Sequence, residues 1–383
     1  MKKIAIPAAV IAAFAASTAH AQSSVTLYGI VDAGIAYTNN VVKGGASGPL
    51  FQATSGEING SRFGLRGSED LGGGLKAIFV LENGFSITNG TLAQHSRLFG
   101  RQAFVGLSSS QYGTVTLGRQ YDTLVDFVAP LSGTAGTFGD TGFAHPFDND
   151  NLNHSVRMNN SVKYTSANYG GFKFGTLYAF SNSDDFAVNR AYSAGASYSF
   201  AGFNVAAGYL QINGSNSTVN TAGAVDLAES QSNGTGGFVL GADVQRTIGA
   251  GINYAIGPAL VGFVYTHSQF QGTQSFGSAN GRVTFDNYEV NGKYALTPAI
   301  SLGVAYTYTN GHVTDTTKFG EDPKWNQVNL QAVYSLSKRT DVYAEGLYQH
   351  VSGSNFVAFI NNSGGASSTG NQVEAAIGMR HRF

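Results

Sequence analysis

Hydrophobic and polar positions alternate with a period of two along most of the chain, in runs of about ten residues. The first is VTLYGIVDAGIAY from Val25, followed by SRFGLRG from Ser61, LKAIFVLENG from Leu75, GRQAFVGLS from Gly100 and GTVTLGRQY from Gly113. Later ones include SVRMNNSVKYTS from Ser155, ALVGFVYTHS from Ala259, AISLGVAYTYTN from Ala299 and QVEAAIGMRHRF from Gln372. About sixteen such runs occur, and each predicts a β-strand. In the last run Val373, Ala375, Ile377, Met379, His381 and Phe383 share one side, while Gln372, Glu374, Arg380 and Arg382 share the other.

The connections alternate in length. Short ones fall at 68–74, 108–112, 166–170, 201–202, 256–258, 296–298 and 337–340. Long ones fall near 38–60, 84–99, 122–154, 182–189, 213–237, 269–282, 311–323 and 352–371, and are rich in Asn, Ser, Thr and Gly. A sandwich of two packed sheets would also give one apolar and one polar side per strand, but has no reason to make every second connection short. Closed barrels that cross the outer membrane have this asymmetry. The pattern therefore predicts an all-β, sixteen-stranded antiparallel transmembrane barrel, with lipid outside, water inside and both termini at the short-turn end.

Composition agrees. Of 383 residues, 51 are Gly, 45 are Tyr or Phe and only 12% are charged, which suits strands and turns. The absence of Cys excludes disulfides, thiolate metal sites and cysteine catalysis. The net charge of −1 gives no sign of a nucleic-acid partner. At the N-terminus Lys2 and Lys3 precede an apolar stretch and then Ala19-His20-Ala21. That is the layout of a secretory signal peptide, removed after Ala21, which leaves residues 22–383 as one barrel domain. The apolar stretch spans about 13 residues, short of the roughly 20 that a spanning helix needs.

Alternation also sorts the charges. Arg62, Gly64 and Arg66 oppose Phe63 and Leu65, and Arg157, Asn159, Ser161 and Lys163 oppose Val156, Met158, Val162 and Tyr164. Arg101 opposes Phe104, although Ala103 and Val105 share its side. A lipid-facing Arg near mid-membrane costs about 2–4 kcal/mol. Arg62, Arg101 and Arg157 are therefore expected on the water-facing wall, either as ordinary lumen charges or as one concerted group. The loop from Asp122 to His154 is long enough to be functional. If it enters the bore, Asp122, Asp126 and Asp140 are expected to face the arginine wall; the alternative is an external loop. Such an arrangement favours anions. The eight His show no metal-ligand spacing, and no G-x-S-x-G or phosphate-loop motif occurs, so no cofactor, metal or catalytic residue is expected.

The segments SSVTLYGIVDAGI, SRFGLRGSEDLGGGLKAIFVLENGF and FGRQAFVGLSSSQYGTVTLGRQYD, with a terminal MRHRF, resemble Gram-negative general-diffusion porins of the betaproteobacterial branch. The resemblance covers essentially the whole chain after the signal peptide. It implies a homotrimer of sixteen-stranded barrels among outer-membrane lipid and lipopolysaccharide, passing small anions and hydrophilic solutes. It implies a third loop folded into the bore, a basic constriction wall at Arg62, Arg101 and Arg157, and Phe383 as the residue shown to the barrel-assembly machinery. The third loop lacks the P-E-F-G of enteric relatives, which leaves the acidic partners open. A barrel enzyme or a non-conducting adhesin are the competing classes; substrate turnover or a closed lumen would mark them.

Overall fold

The computed structural model describes residues 23–136, 138–226, 240–273, 281–314, 322–353 and 356–383. The expected signal peptide, residues 1–21, and parts of five long loops lie outside these.

Seventeen strands form one antiparallel sheet among the described residues. They are β1 Ser24–Lys43, β2 Ala46–Ser55, β3 Arg62–Gly72, β4 Leu75–Gly84, β5 Gln102–Ser109, β6 Gly113–Gln120, β7 Met158–Thr165, β8 Phe172–Ala179 and β9 Arg190–Phe200. There follow β10 Phe203–Asn213, β11 Val244–Ile256, β12 Ala259–Gln271, β13 Arg282–Ala295, β14 Ile300–Thr314, β15 Lys324–Ser335, β16 Thr340–Ser352 and β17 Asn371–Arg382. Strands β2 and β3 both run along β1, so they are two pieces of one stave and the wall has sixteen. The sheet closes where β17 pairs with β1, and Phe383 and Gly29 exchange two backbone hydrogen bonds of 3.1 Å. Closure satisfies every edge in a solvent that offers no hydrogen bonds. No helix among the described residues is long and apolar enough to cross a membrane.

The first long connection differs from expectation. The chain does not loop from 38 to 60. It stays in β1 to Lys43, turns at Gly44 and Gly45 with φ of +57° and +84°, and returns through β2. Only residues 56–61 leave the wall, and Glu57, Ile58 and Ser61 are buried. Alternating Gly, Ala and small polar residues in this stretch mask its strand pattern.

Side-chain period and lipid contact agree over β11–β17. One outward row aligns Tyr265, Tyr288 and Tyr308 across three strands. The next row toward the short turns aligns Phe263, Val290, Tyr306 and Val328, and the one after it holds Val261, Val304 and Leu330. Tyr294 and Tyr334 lie at the short-turn end. This is an apolar belt between two aromatic girdles. The inward positions of the same strands hold Asn287, Glu289, Gln327, Asn329 and Gln331, all buried. β17 divides as its sequence predicts: Ile377 is 61% and Met379 53% exposed, whereas Gln372, Glu374 and Arg380 are buried inside.

Two faces depart from simple alternation. Asn160 takes φ of +53° and the β6–β7 register shifts beside it, between Gly118 and Gln120. Val156 and Met158, expected toward lipid, instead lie fully buried in an interior cluster with Leu124 and Leu152. Arg101 stands in the bend before β5, so it points inward although Val105, on its nominal side, is exposed to lipid.

Candidate functional site

The chain between β6 and β7 folds into the bore. It opens with α1, Thr123–Phe127, continues through single turns at Ala129–Leu131, Thr141–Phe143 and Pro146–Asp148, and lies mostly buried. Glycines on the inner wall make room for it. An added Cβ would come 2.8 Å from Phe127 at Gly195, 3.0 Å from Leu124 at Gly208 and 3.1 Å from Leu131 at Gly251. The missing side chains form a trough into which Leu124, Phe127 and Leu131 pack, removing apolar surface from lumen water. Further along, Phe143 is buried beside Ala305 and Leu347, and Phe147 meets Trp325 edge-on with ring centroids 5.8 Å apart.

A charged latch holds the middle of this loop. His145 Nδ1 lies 2.6 Å from Asp150 and its Nε2 lies 3.2 Å from Glu289 of β13. Burial alone would lower the imidazole's pKa, but Asp150 and Glu289 reverse this and push it up to about 10. Glu289 also accepts from Gly133 N at 2.8 Å, and Asp150 from Thr266 Oγ1 at 2.6 Å.

Arg62, Arg101 and Arg157 come together around two loop residues, Tyr121 and His154. Arg101 Nε donates to Glu82 at 2.7 Å, and its Nη2 donates to Tyr121 Oη at 3.0 Å and lies 3.4 Å from His154 Nε2. The Arg157 guanidinium sits 5.8 Å from the Tyr121 ring centroid, within cation–π range. Arg62 Nε donates to Gly60 O at 3.0 Å. Tyr121 and His154 stack with centroids 5.0 Å apart. Burial first, then Arg101, Arg157 and Arg62, hold the His154 imidazole well below its usual range, so it is neutral at neutral pH. Arg101 pairs with Glu82, whose other oxygen accepts from Tyr28 Oη at 3.0 Å, and Arg62 stands near enough to feel the same carboxylate.

The three loop acids do not face these arginines. Asp122 is the N-cap of α1: it accepts from the backbone N of Leu124 and Val125 and from Asn151, and burial pushes its pKa up to about 6. Asp126 pairs with Lys163 of β7 at 2.7 Å. Asp140 caps the turn at 141–143 through Gly142 N at 2.8 Å and accepts from Gln331 at 3.0 Å, far along the loop. Satisfying buried backbone donors takes precedence over pairing across the bore. Sequence reasoning missed Glu82, Tyr121 and His154. Glu82 shares a face with Ile78 and Val80, so its strand hid it; Asp122 before the apolar TLVDF was a readable N-cap signal. Also missed were Glu57, Glu345 and Glu374, which with Asp140 gather carboxyls near β16 and β17. Phe383 stands at the barrel seam. No group of His, Asp or Glu among the described residues could hold a metal ion.

A single closed barrel with a loop inside and basic groups on the bore defines a channel protein. The comparisons give the family. A model described as Gram-negative porin matches residues 8–354. An outer membrane porin protein of Bordetella pertussis is 35% identical over 415 residues, and outer membrane porin protein 32 of Delftia acidovorans is 31% identical over 403. Each alignment covers 100% of both chains. Among solved structures, an anion-selective porin from Comamonas acidovorans superposes with a TM-score of 0.74 and 25% identity, covering 94% of this chain and 100% of that one. The chain belongs to the Gram-negative porin family and is an outer-membrane channel.

Proposed function

We propose that the chain forms a passive, anion-preferring outer-membrane channel that works as a homotrimer, without turnover or cofactor, once residues 1–21 are removed. The observation that carries the selectivity is the Arg62–Arg101–Arg157 group, into which Glu82 pairs through Arg101 among the described residues. A unit charge about 8 Å from a passing ion is worth roughly 0.5 kcal/mol at the dielectric of water and about 2 at an effective value of 20. Guanidiniums stay charged throughout the physiological range. The name of the Comamonas relative supports the same sign.

The trimer reading rests on an outward face of different character. Val25, Leu27, Ile35, Val105, Leu107 and Ile377 project from β1, β5 and β17, more than half exposed and mostly aliphatic, where β12–β14 show tyrosine rows. A second copy burying that face removes it from lipid headgroup boundaries. Phe383, next to this face, is assigned the role of assembly signal, and lipopolysaccharide and bilayer lipid surround the remainder. Planar-bilayer recording under a salt gradient tests the reading. It expects openings in steps of three and a reversal potential of anion sign that shrinks at high salt. A reversal potential of cation sign refutes the selectivity, and a non-conducting protein refutes the channel.

A further inference from the structure

Below the arginines, toward the short turns, the lumen wall becomes apolar. The row under Glu82 aligns Arg66, Val80 and Phe104 on β3–β5, and the next aligns Ser68, Ile78 and Gly106. Glu82, bonded to Arg101, heads this face, and the alternate residues Leu65, Val105 and Leu107 are exposed on the lipid side. Period two therefore turns Ile78, Val80 and Phe104 into the bore. Inward apolar residues elsewhere, such as Leu177 of β8 and Phe285 of β13, are buried in clusters with loop residues. Ile78, Val80 and Phe104 are only half-buried and belong to no such cluster among the described residues. The third loop leaves them bare because α1 packs on β8–β10 instead, with Phe127 at Gly175 and Gly195 and Leu124 at Gly208.

One cation is fixed at the edge of this strip. Tyr28 of β1 stands opposite Gly64 on the same face, and an added Cβ at Gly64 would come 2.8 Å from its ring, so the ring lies against the wall. Tyr28 Oη donates to Glu82 at 3.0 Å, which anchors it, and the Arg66 guanidinium sits 5.2 Å from the ring centroid. Arg66 is exposed and makes no hydrogen bond or ion pair among the described residues, and the same holds for Lys76, one row below Ile78. The acids nearby are engaged: Asp70, in register with Lys76, accepts from Gly72 N at 2.8 Å, and Asp126 pairs with Lys163 at 2.7 Å. With strands about 4.8 Å apart and side chains repeating about every 6.8 Å, the strip measures roughly 7 by 10 Å, enough for one six-membered ring.

We propose that this strip is a subsite for a single-ring aromatic carboxylate crossing the pore, with the ring on Ile78, Val80 and Phe104 and the carboxylate on Arg66. The inference rests on the anion-channel reading and adds a substrate class to it. Charge complementarity sets the sign, because Arg66 and Lys76 border the strip without acidic partners, and a planar guanidinium matches a carboxylate. Aromatic is favoured over aliphatic because the Phe104 and Tyr28 rings offer edge and face contacts that an alkyl chain does not use. The strip faces open lumen, so a bound ring keeps one face in water and leaves readily, as conduction requires.

The test measures bi-ionic potentials across planar bilayers holding the full-length protein, with potassium acetate on one side and potassium benzoate on the other. Size alone makes benzoate the slower ion. Wild type is expected to pass benzoate about threefold or more better than acetate, because contact over one ring face outweighs the size penalty. I78S/V80S/F104S is expected to reverse that order while its chloride-over-potassium ratio stays as in wild type. Arg66→Gln is expected to lower the benzoate-to-acetate ratio by about twofold, since only a ring held on the strip keeps its carboxylate at that guanidinium. Val80→Thr, close to isosteric, gives a smaller fall and serves if the triple variant does not fold. A wild type that favours acetate, or a ratio unchanged in the strip variants, overturns the proposal; in the second case something else covers the strip. If wild type is anion-selective in potassium chloride yet favours acetate, the strip alone is refuted. A cation-sign reversal potential of wild type in potassium chloride strikes the anion-channel reading, and the inference falls with it.

Discussion

Replacing Glu82 by Gln should strengthen anion preference. Glu82 is bonded within the arginine group, and its two oxygens accept from Arg101 Nε at 2.7 Å and Tyr28 Oη at 3.0 Å. A glutamine can keep both contacts, since its carbonyl accepts from Arg101 and its amide donates to the Tyr28 oxygen, so the barrel is preserved. The change removes one negative charge from the ion path. At about 8 Å an anion gains roughly 0.5 kcal/mol in a water-like dielectric and about 2 at an effective value of 20, and a cation loses the same. Screening at 0.1 M leaves roughly half of that energy. Even the lower figure raises the anion-to-cation permeability ratio by about twofold. Arg101→Ser should lower the ratio by a similar factor, because it leaves Glu82 uncompensated, and the double variant should return toward wild type. The assay is the reversal potential across planar bilayers in a potassium chloride gradient near 0.1 M, with heat-modified gel mobility to verify folding. If E82Q leaves the reversal potential unchanged, or moves it toward cations, the pair does not act on the ion path and the electrostatic reasoning fails.

Three further outcomes follow from the buried loop. Gly195→Val places a side chain against Phe127 and the Thr123 carbonyl, so α1 must shift; thermal unfolding should show a loss of about 1–3 kcal/mol and open-channel noise should rise, while unchanged values would mean the trough is not needed. His145→Gln removes the cation between Asp150 and Glu289; the penalty is on the order of 3–5 kcal/mol, read as faster hydrogen exchange over residues 133–150, and wild-type protection would refute the latch. Burial, with Glu57 nearby, pushes the Asp140 pKa from 3.8 up to about 7. A group raised in the folded state supports folding fully below its unfolded value and loses that support as pH rises through the folded one. Docking of residues 138–144 should thus weaken between pH 4 and 7, and Asp140→Asn, which keeps the acceptor for Gly142, should flatten the dependence; equal slopes in exchange experiments would contradict it.

The wall was legible because its period has only two phases. Once Val373 and Gln372 are seen to differ, every residue of β17 is assigned, and loop length fixes which end is which. Arg62 was placed by the same rule. Arg101 was placed by the cost of facing lipid rather than by strict alternation, because it sits in a bend, and Met158 escaped the rule beside a left-handed Asn160. The third loop has no period at all. Its acids are engaged by partners near and far, Asp122 by backbone two and three residues on, Asp126 by Lys163 and Asp140 by Gly142 and Gln331, and no charge pattern announces that. The inner glycines carry no hydropathy signal, so the trough that receives α1 is visible only when β8–β11 are side by side.

The seam between β17 and β1 joins the first and last described strands, with Thr38 opposite Glu374 and Gly29 bonded to Phe383. A ring has no stable half. Until its final stave arrives, a growing barrel keeps two open rims of unpaired amides, each costing several kcal/mol in hydrocarbon and each able to capture a stray strand. Contacts of such long sequence separation also form slowly. Commitment to the membrane therefore waits for β17 to pair with β1, and a copy lacking that stave is a sticky ribbon rather than a leaky hole.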